Sequence, residues 1–321
     1  MEETDLLIVG GGPAGLAAAL AASTSGVASV TVLDRRAEWG RPVRCAEFAP
    51  SALTRCIGVA PEAIAQRIER IEFLSQGKPL GRLKAPGFVL HRDVFEADLA
   101  DRADICGVRT ALRARIIRIE GSSAWARTPD GVREWRFRYL IGADGPSSIV
   151  RASCFGAPMT CAGAIQWTLP AGPAAPRQAE VHLAPEYGAG YAWLFPKLGF
   201  VHVGAAVHGA RRPQLKALLQ DFVWERIAEG RIAAGPMIRR TGGVVPVCGG
   251  VWPPTNGNAL LCGDAAGHVH PLLGAGIISA ISCGQMAGAA VAKALRSGNR
   301  KYVDDYARQA QDFYGAYWKR G

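Results

Sequence analysis

The chain has 321 residues, 49% of them apolar and 20% charged, with 39 glycines, which excludes a disordered chain and allows a large core rich in tight turns. Its formal charge of +10 suits acidic partners, but the arginines form no basic block and carry no interleaved stacking aromatics, so no nucleic acid is expected. The eight cysteines, from Cys45 to Cys283 and including Cys248, make no CxxC pair, so no metal is expected and a reduced, cytoplasmic chain fits best.

The acidic start, Met1 to Asp5, leads straight into an apolar run over 5–9, which is wrong for a signal peptide. Residues 13–23 are Ala/Leu-rich and helical in pattern, and 29–33 is a β-branched run ending at Asp34. Strand, helix, strand is the reading. A basic, proline-containing loop over 35–50 follows, long enough to be a functional segment. Short strand-like pieces at 71–74 and 87–90 are broken by Gly and Pro, and 91–103 reads as a helix. Residues 111–120, 124–128 and 135–141 look like a β meander that returns to a Gly-Ala-Asp-Gly turn at Gly142. Strands are expected at 163–169, 179–183, 192–195 and 201–206, then a helix over 215–229. A last buried strand at 257–262 precedes two closing helices, 274–295 and 302–318. From Ala265 to Ala292 there is no Asp, Glu, Lys or Arg, yet two histidines, a proline and five glycines favour a buried, cofactor-facing helix over a membrane span. The last helix carries Tyr302, Tyr306, Phe313 and Tyr317 on one stripe, read as a docking face.

Gly10-Gly-Gly-Pro-Ala-Gly15 is a GxGxxG directly after a strand and at the head of a helix. Gly10, Gly12 and Gly15 would give a tight turn, close backbone approach to a pyrophosphate and close helix packing, and Pro13 and Ala14 open the helix whose positive end faces the phosphates. Asp34 lies 19 residues beyond Gly15, where a carboxylate can take ribose hydroxyls. Two further carboxylates, Asp144 with Gly145 and Asp264, end buried strands in Gly-flanked turns, and the second continues through Gly274 and Gly276 into a helix. A nicotinamide dehydrogenase needs neither segment, whereas an extended FAD needs an acid near its ribityl chain and a helix N-terminus at its pyrophosphate or flavin carbonyl. FAD is therefore the expected cofactor.

Pro42-Val-Arg-Cys-Ala-Glu47 and Gly190-Tyr-Ala-Trp-Leu-Phe-Pro196, with Arg92 and the Gly-Asp-Ala-Ala-Gly segment, resemble the geranylgeranyl reductase family within the para-hydroxybenzoate hydroxylase-type flavoproteins. Family members extend past the last helix, so with Gly321 as its end the chain resembles a short form. The resemblance implies FAD contacts from Ala14, Asp34, Cys45, Ala46, Arg92, Ile116, Asp264, Gly276 and Ile277, with Arg35 and Arg44 beside them, and a substrate pocket walled by Tyr191, Trp193 and Phe195. Alternating aromatics on a strand can equally be plain sheet packing. Cys45, Glu47, His268 and His270 are the candidate catalytic groups: a thiol as redox partner or acid, and three titratable groups able to deliver a proton.

The expected fold is α/β: a discontinuous, Rossmann-type FAD-binding domain from residues 1–66, 88–155 and 255–321, with an α+β second lobe, a mainly antiparallel β substrate domain from 67–87 and 156–254. The expected activity is that of an oxidoreductase passing a hydride from flavin N5 to an unsaturated, apolar, isoprenoid-like substrate, with electrons from NAD(P)H or an acidic donor protein such as ferredoxin. Two rivals stand beside it: a group A monooxygenase hydroxylating an aromatic substrate with NAD(P)H and O₂, and a non-catalytic flavin electron-transfer subunit. Peripheral membrane contact is left open.

Overall fold

The computed structural model describes residues 1–247 and 249–318. Cys248 and the side chain of Tyr317 lie outside the described residues. Two compact units are present, one from Met1–Arg41, Asp93–Thr160 and Pro246–Gly321 and the other from Pro42–Arg92 and Cys161–Val245.

The first unit is built on a sheet whose central strand, Glu2–Val9, runs parallel to Val30–Leu33 on one side and to Gly131–Gly142 on the other. Ala259–Leu261 and Arg109–Ala111 extend the parallel set outward. Leu6, Leu7 and Ile8 are fully buried, as expected for a parallel strand covered on both faces, where apolar residues run on without alternation. Arg115–Glu120, Ser123–Thr128 and Gly131–Gly142 form the expected antiparallel meander. Helices Pro13–Thr24 and Ile277–Ser297 pack face to face because two glycines remove the obstacle. A Cβ on Gly284 would lie 2.2 Å from the Ala14 carbonyl oxygen, and one on Gly288 2.2 Å from that of Ala18. Ile277–Ser297 is long and apolar enough to cross a membrane, but most of it is buried within this unit, which makes it a core helix. The last helix, Lys301–Trp318, docks through Val303, Tyr306, Ala307 and Ala310, and the buried Tyr306 hydroxyl donates to the Leu261 carbonyl at 2.7 Å. That stripe differs from the expected one: Tyr306 belongs to it, while Phe313 is 71% exposed and Tyr302 stands at the surface.

The second unit is an eight-stranded sheet in the order Arg239–Pro246, Cys161–Pro170, Phe200–Val207, Tyr191–Lys197, Ala179–Leu183, Ile64–Ser75, Lys78–Leu90, Phe48–Pro50. From Cys161–Pro170 onward the pairings are antiparallel except that of Ala179–Leu183 with Ile64–Ser75. Helix Leu215–Ala228 covers one face, burying Leu215, Leu219, Phe222 and Val223 on Leu194, Val201, Val203 and Ala205. Beneath it Glu180 and His182 are buried together with Arg226 of the helix as a paired group. Glu180 Oε2 is 3.0 Å from His182 Nε2, and Arg226 Nη1 is 3.3 Å from the other ring nitrogen.

Two differences from the expected layout have local causes. The fragments at 71–74 and 87–90 belong to a long hairpin, Ile64–Ser75 with Lys78–Leu90, turned at Gln76 and Gly77, both at positive φ. Pro79, Gly81 and Pro86 look like breaks, but the first half of the returning strand is exposed and the pairing has register shifts that accommodate them. Residues 42–66, expected with the cofactor domain, join the second unit because Phe48–Pro50 pairs with Gly87 to Val89 and Ile64–Ser75 is an internal strand of that sheet.

Candidate active site

Register alone assembles the candidate site of the first unit. Leu33, Val9, Gly142 and Leu261 form one continuous row across four parallel strands. The residues that follow them, Asp34, Gly10, Asp144 and Asp264, therefore leave the sheet along one carboxyl edge, where ligands of open α/β sheets bind. At Gly10, φ is +101° and a Cβ would meet the Ala143 carbonyl oxygen at 2.3 Å. A Cβ on Gly15 would lie 1.9 Å from the Gly10 oxygen, whereas one on Gly12 meets nothing within 4 Å. The outer two glycines thus serve the fold. Gly12 leaves open space at the head of the Pro13–Thr24 helix, where Gly12 is the N-cap, Pro13 fills the first turn and Ala14 is buried.

Asp34 is buried, and both of its oxygens are engaged. Oδ2 accepts the Gly11 N–H at 2.7 Å and Arg36 Nη2 at 3.0 Å; Oδ1 accepts the Arg36 backbone N–H at 2.7 Å and Nε at 3.1 Å. Arg36 reaches on to buried Glu96 at 2.7 Å and to the Gly11 carbonyl at 2.9 Å. Burial works against its charge, but Glu96 and Asp34 outweigh that and hold the guanidinium above its ordinary value. Arg35, the residue the sequence reading put at the cofactor, is exposed, and Arg36 does the tying. Trp39 lies across this turn: a Cβ on Gly11 would be 2.2 Å from its ring. A groove of about 440 Å³ opens beside it, lined by Trp39, Arg41, Asp93, Ala97 and Leu112 among others.

Asp144 caps the turn that follows it, with Oδ2 accepting the Ile149 N–H at 2.7 Å and the Val150 N–H at 3.4 Å. Its Oδ1 is buried without a hydrogen bond among the described residues, and burial raises its carboxyl. Gly145, at φ +82°, faces open space. Asp264, half-buried, sits in the tight turn Gly263–Ala265. Gly274, at φ +61°, closes a turn in which its N–H donates to the His270 carbonyl. Gly276 is the N-cap of the Ile277–Ser297 helix, so Ile277 opens that helix with a backbone N–H that has no intrahelical partner. His268 is fully buried, and burial drives its ring down to about 3. The His270 ring accepts the Leu272 and Leu273 N–H groups through Nδ1 at 3.3 Å each, and burial lowers it too. Both rings are therefore neutral at ordinary pH. The Ile116 side chain is buried in the hydrophobic core of the first unit.

The second unit supplies a different surface. Tyr191, Trp193 and Phe195 alternate on one strand and share the face opposite the covering helix with Ile68, Val89 and Val181. Trp193 pairs with Gly204, where a Cβ would lie 2.2 Å from the indole, so the ring crosses that strand and its Nε1–H reaches Gln166 Oε1 at 2.9 Å. Gln166 Nε2 in turn donates to the Cys45 carbonyl at 3.1 Å. Ala46 and Phe48 pack on the same aromatic layer, and the Phe48 and Phe195 rings meet edge to face at 6.1 Å. Tyr191 is held protonated, pushed up to about 12 by burial.

Glu47 is wholly buried and sits at φ +66°, a left-handed backbone for a residue with a side chain. Oε1 accepts the Arg92 N–H at 3.2 Å; Oε2 accepts Lys197 Nζ at 2.6 Å, Arg239 Nη2 at 3.2 Å and His202 Nε2–H. Burial raises its carboxyl, but the hydrogen bond from His202 and the charge of and bond from Lys197 overcome this and bring it to about 2. His202 is lowered, first by burial and then by Lys197 and Arg239, against the pull of Glu47. A neutral ring fits the geometry: Nε2–H donates to Glu47 while Nδ1 accepts the Thr168 hydroxyl at 2.9 Å. Arg44 is exposed beside Gly243.

Sequence reasoning missed Arg36, Glu96, Gln166, Lys197, His202 and Arg239. The signal for two of them was present: Gln166 and His202 are polar residues inside apolar strands, and both are buried.

A family model described as an FAD binding domain matches residues 3–169. The chain is 33% identical to digeranylgeranylglycerophospholipid reductase 1 of Methanopyrus kandleri, across 97% of this chain and 88% of that protein. It is 29% identical to the digeranylgeranylglycerophospholipid reductase of Methanococcus vannielii, across 99% and 83%. The crystal structure of a geranylgeranyl bacteriochlorophyll reductase-like protein from Thermoplasma acidophilum superposes with a TM-score of 0.86 at 26% identity, covering 100% of this chain and 85% of that one. A p-nitrophenol 4-monooxygenase from Pseudomonas putida, at 17% identity and a TM-score of 0.80 over 99% and 88%, shares the fold. The cofactor is FAD, and the residues fit it: open space at Gly12 on a helix N-terminus, an orphaned acceptor on Asp144 and a second helix start at Gly276 lie along one sheet edge.

Proposed function

This chain belongs to the geranylgeranyl reductase family of FAD-dependent oxidoreductases, and on that premise we propose that it hydrogenates an unsaturated isoprenoid lipid. The observation that carries the reading is the aromatic face. The one polar atom of the Trp193 indole is satisfied inside the sheet by Gln166, so what Tyr191, Trp193 and Phe195 offer a ligand is mostly hydrocarbon. A polyprenyl chain asks for nothing else; a phenolic substrate would need polar partners.

Bound FAD supplies the hydride donor for the double bond. The backbone at Gly10, Gly12, Pro13, Ala14 and Gly15, the Asp34 carboxylate, and the Asp264, Gly274, Gly276 and Ile277 segment are proposed to hold it, with Asp144 and Gly145 closing the same edge. Cys45, Ala46, Arg92 and the Ile116 backbone stay proposed contacts on the strength of the family resemblance, as do Arg35 and Arg44. For the proton, Glu47 is ionised and both His268 and His270 are neutral. That leaves the Cys45 thiol as the proposed donor among the four expected groups. The electrons come from NAD(P)H or from an acidic protein such as a ferredoxin, which the charge of +10 suits. A lipid substrate also brings the enzyme to the cytoplasmic surface of a membrane.

The test is anaerobic stopped flow of the reduced flavoprotein against a geranylgeranylated glycerophospholipid and, separately, against O₂. The reading expects lipid to reoxidise the flavin far faster than O₂ does. Fast reoxidation by O₂ with an oxygenated product, and none by lipid, would replace it with the monooxygenase.

A further inference from the structure

We propose that Glu47 and His202 are positioning residues that fix Cys45 on the aromatic face of the antiparallel sheet. The inference rests on the reading that Cys45 belongs to the reacting centre. Neither residue is given contact with the substrate; both act through the loop.

The loop is held at consecutive points. Gln166 takes the Cys45 carbonyl at 3.1 Å, and the Glu47 backbone N–H donates to Cys45 Sγ at 3.2 Å. Glu47 itself has a left-handed backbone, at φ +66°. A residue with a Cβ resists that conformation unless its surroundings impose it. Here they do. The carboxylate is clamped by Lys197, His202 and Arg239 on one oxygen and by the Arg92 N–H on the other. Lys197 extends the strand that carries Tyr191, Trp193 and Phe195, and His202 is the direct cross-strand partner of Phe195. The anchor of the loop and the aromatic wall are thus one piece of sheet.

His202 sets the clamp's geometry as well as its charge. Its cross-strand neighbour Thr168 fills Nδ1 and so leaves Nε2–H aimed at Glu47. A glutamine amide can reproduce that pair, an N–H for Glu47 and an oxygen for Thr168, whereas leucine can do neither.

A buried ion cluster could instead merely stabilise the sheet, and stability alone would not single out one thiol. The discriminating readout is therefore the rate at which a maleimide labels each cysteine of the FAD-loaded protein, resolved by peptide mass spectrometry, with exposed Cys106 as internal reference. In Glu47→Gln, Cys45 labelling should rise about tenfold relative to Cys106, since the loop loses a charged anchor and opens locally. His202→Leu should move it the same way, and His202→Gln should restore it to within about twofold. If Glu47→Gln fails to fold, Arg239→Gln removes the part-exposed tie and should raise labelling about threefold. Unchanged Cys45 labelling in folded Glu47→Gln, or in Arg239→Gln where that is the variant available, overturns the proposal. So does equal behaviour of His202→Leu and His202→Gln. The readout needs no lipid turnover, so altered labelling in a protein that reduces no isoprenoid would sink the reductase reading and leave the positioning role standing.

Discussion

At the carboxyl edge of the parallel sheet the contacts offered to a ligand are largely backbone, made by glycines and helix starts whose places follow from strand register. On the antiparallel sheet they are side chains, drawn from the Cys161–Pro170, Tyr191–Lys197, Phe200–Val207 and Arg239–Pro246 strands onto a loop more than a hundred residues earlier in the chain. The first kind of site tolerates few added atoms, and its charges brace the turn through Asp34, Arg36 and Glu96. The second tolerates reshaping and depends on charge being complete. Substitutions can break this contrast or sharpen it.

The largest effect is expected at Gly15. A side chain there meets the Gly10 carbonyl oxygen, which is backbone and cannot swing aside. Gly15→Val should give protein that purifies without flavin or does not fold, read from the flavin-to-protein absorbance ratio. Gly12→Ala separates the two roles of the turn, because its Cβ meets nothing in the protein. It should fold with the parent's thermal stability and bind FAD about ten to a hundred times more weakly, through lost approach to the pyrophosphate. Parent-like affinity by titration calorimetry would show that the open space at Gly12 is not where the phosphates lie.

A smaller effect is expected where the glycine turn borrows a side-chain network. Glu96 touches Arg36, and Arg36 ties Asp34 to the Gly11 carbonyl. Glu96→Gln should weaken FAD binding by about tenfold, the worth of one charge-assisted bond, read by titration calorimetry.

That mixture explains how far the sequence could be read. The GxGxxG turn, Asp34, and the carboxylates at Asp144 and Asp264 were visible because each is a local pattern: a buried strand ending in Gly-flanked turns. Most strands and helices of both units were equally legible, since burial sets a period on a segment, but the short Phe48–Pro50 and the partly exposed Arg239–Pro246 strands were not. The Glu47 clamp was not. Lys197, His202 and Arg239 come near Glu47 only once strands distant in sequence pair, and no local period encodes which strand lies beside which. Arg36 was missed for a finer reason. Arg35 and Arg36 are adjacent and chemically alike, and only the backbone path after the strand end decides which one turns back onto Asp34. The long hairpin was read as fragments because Pro and Gly, usually breaks, stand in an exposed part of the strand that tolerates them.

The mildest expectation concerns acid. His182, His202 and His268 are all lowered from the ordinary histidine value of 6.5, burial being the first cause in each. Each binds its proton less tightly folded than unfolded. Their share of the stability is therefore complete above 6.5 and drains as pH falls below it, by at most about 1.4 kcal/mol per pH unit for each ring. Glu47, lowered from 4.5 to about 2, adds a second loss that begins only below 4.5, while Asp144, raised by burial, opposes it. Urea midpoints should thus decline already between pH 6.5 and 4.5, and His202→Gln should flatten that decline without abolishing it. A flat profile across this window would mean the rings are protonated in the fold and the neutral tautomer of His202 is wrong.

The claim on which both halves depend is that electrons stored on FAD leave into a carbon–carbon double bond. The direct measurement is an anaerobic single turnover of photoreduced protein with a geranylgeranylated glycerophospholipid, following flavin absorbance and lipid mass together. The account predicts lipid heavier by one pair of hydrogens for each flavin oxidised, with Trp193→Ala retaining FAD but losing most of the turnover. Flavin that stays reduced beside intact lipid, and reoxidises only on admission of air, would contradict it.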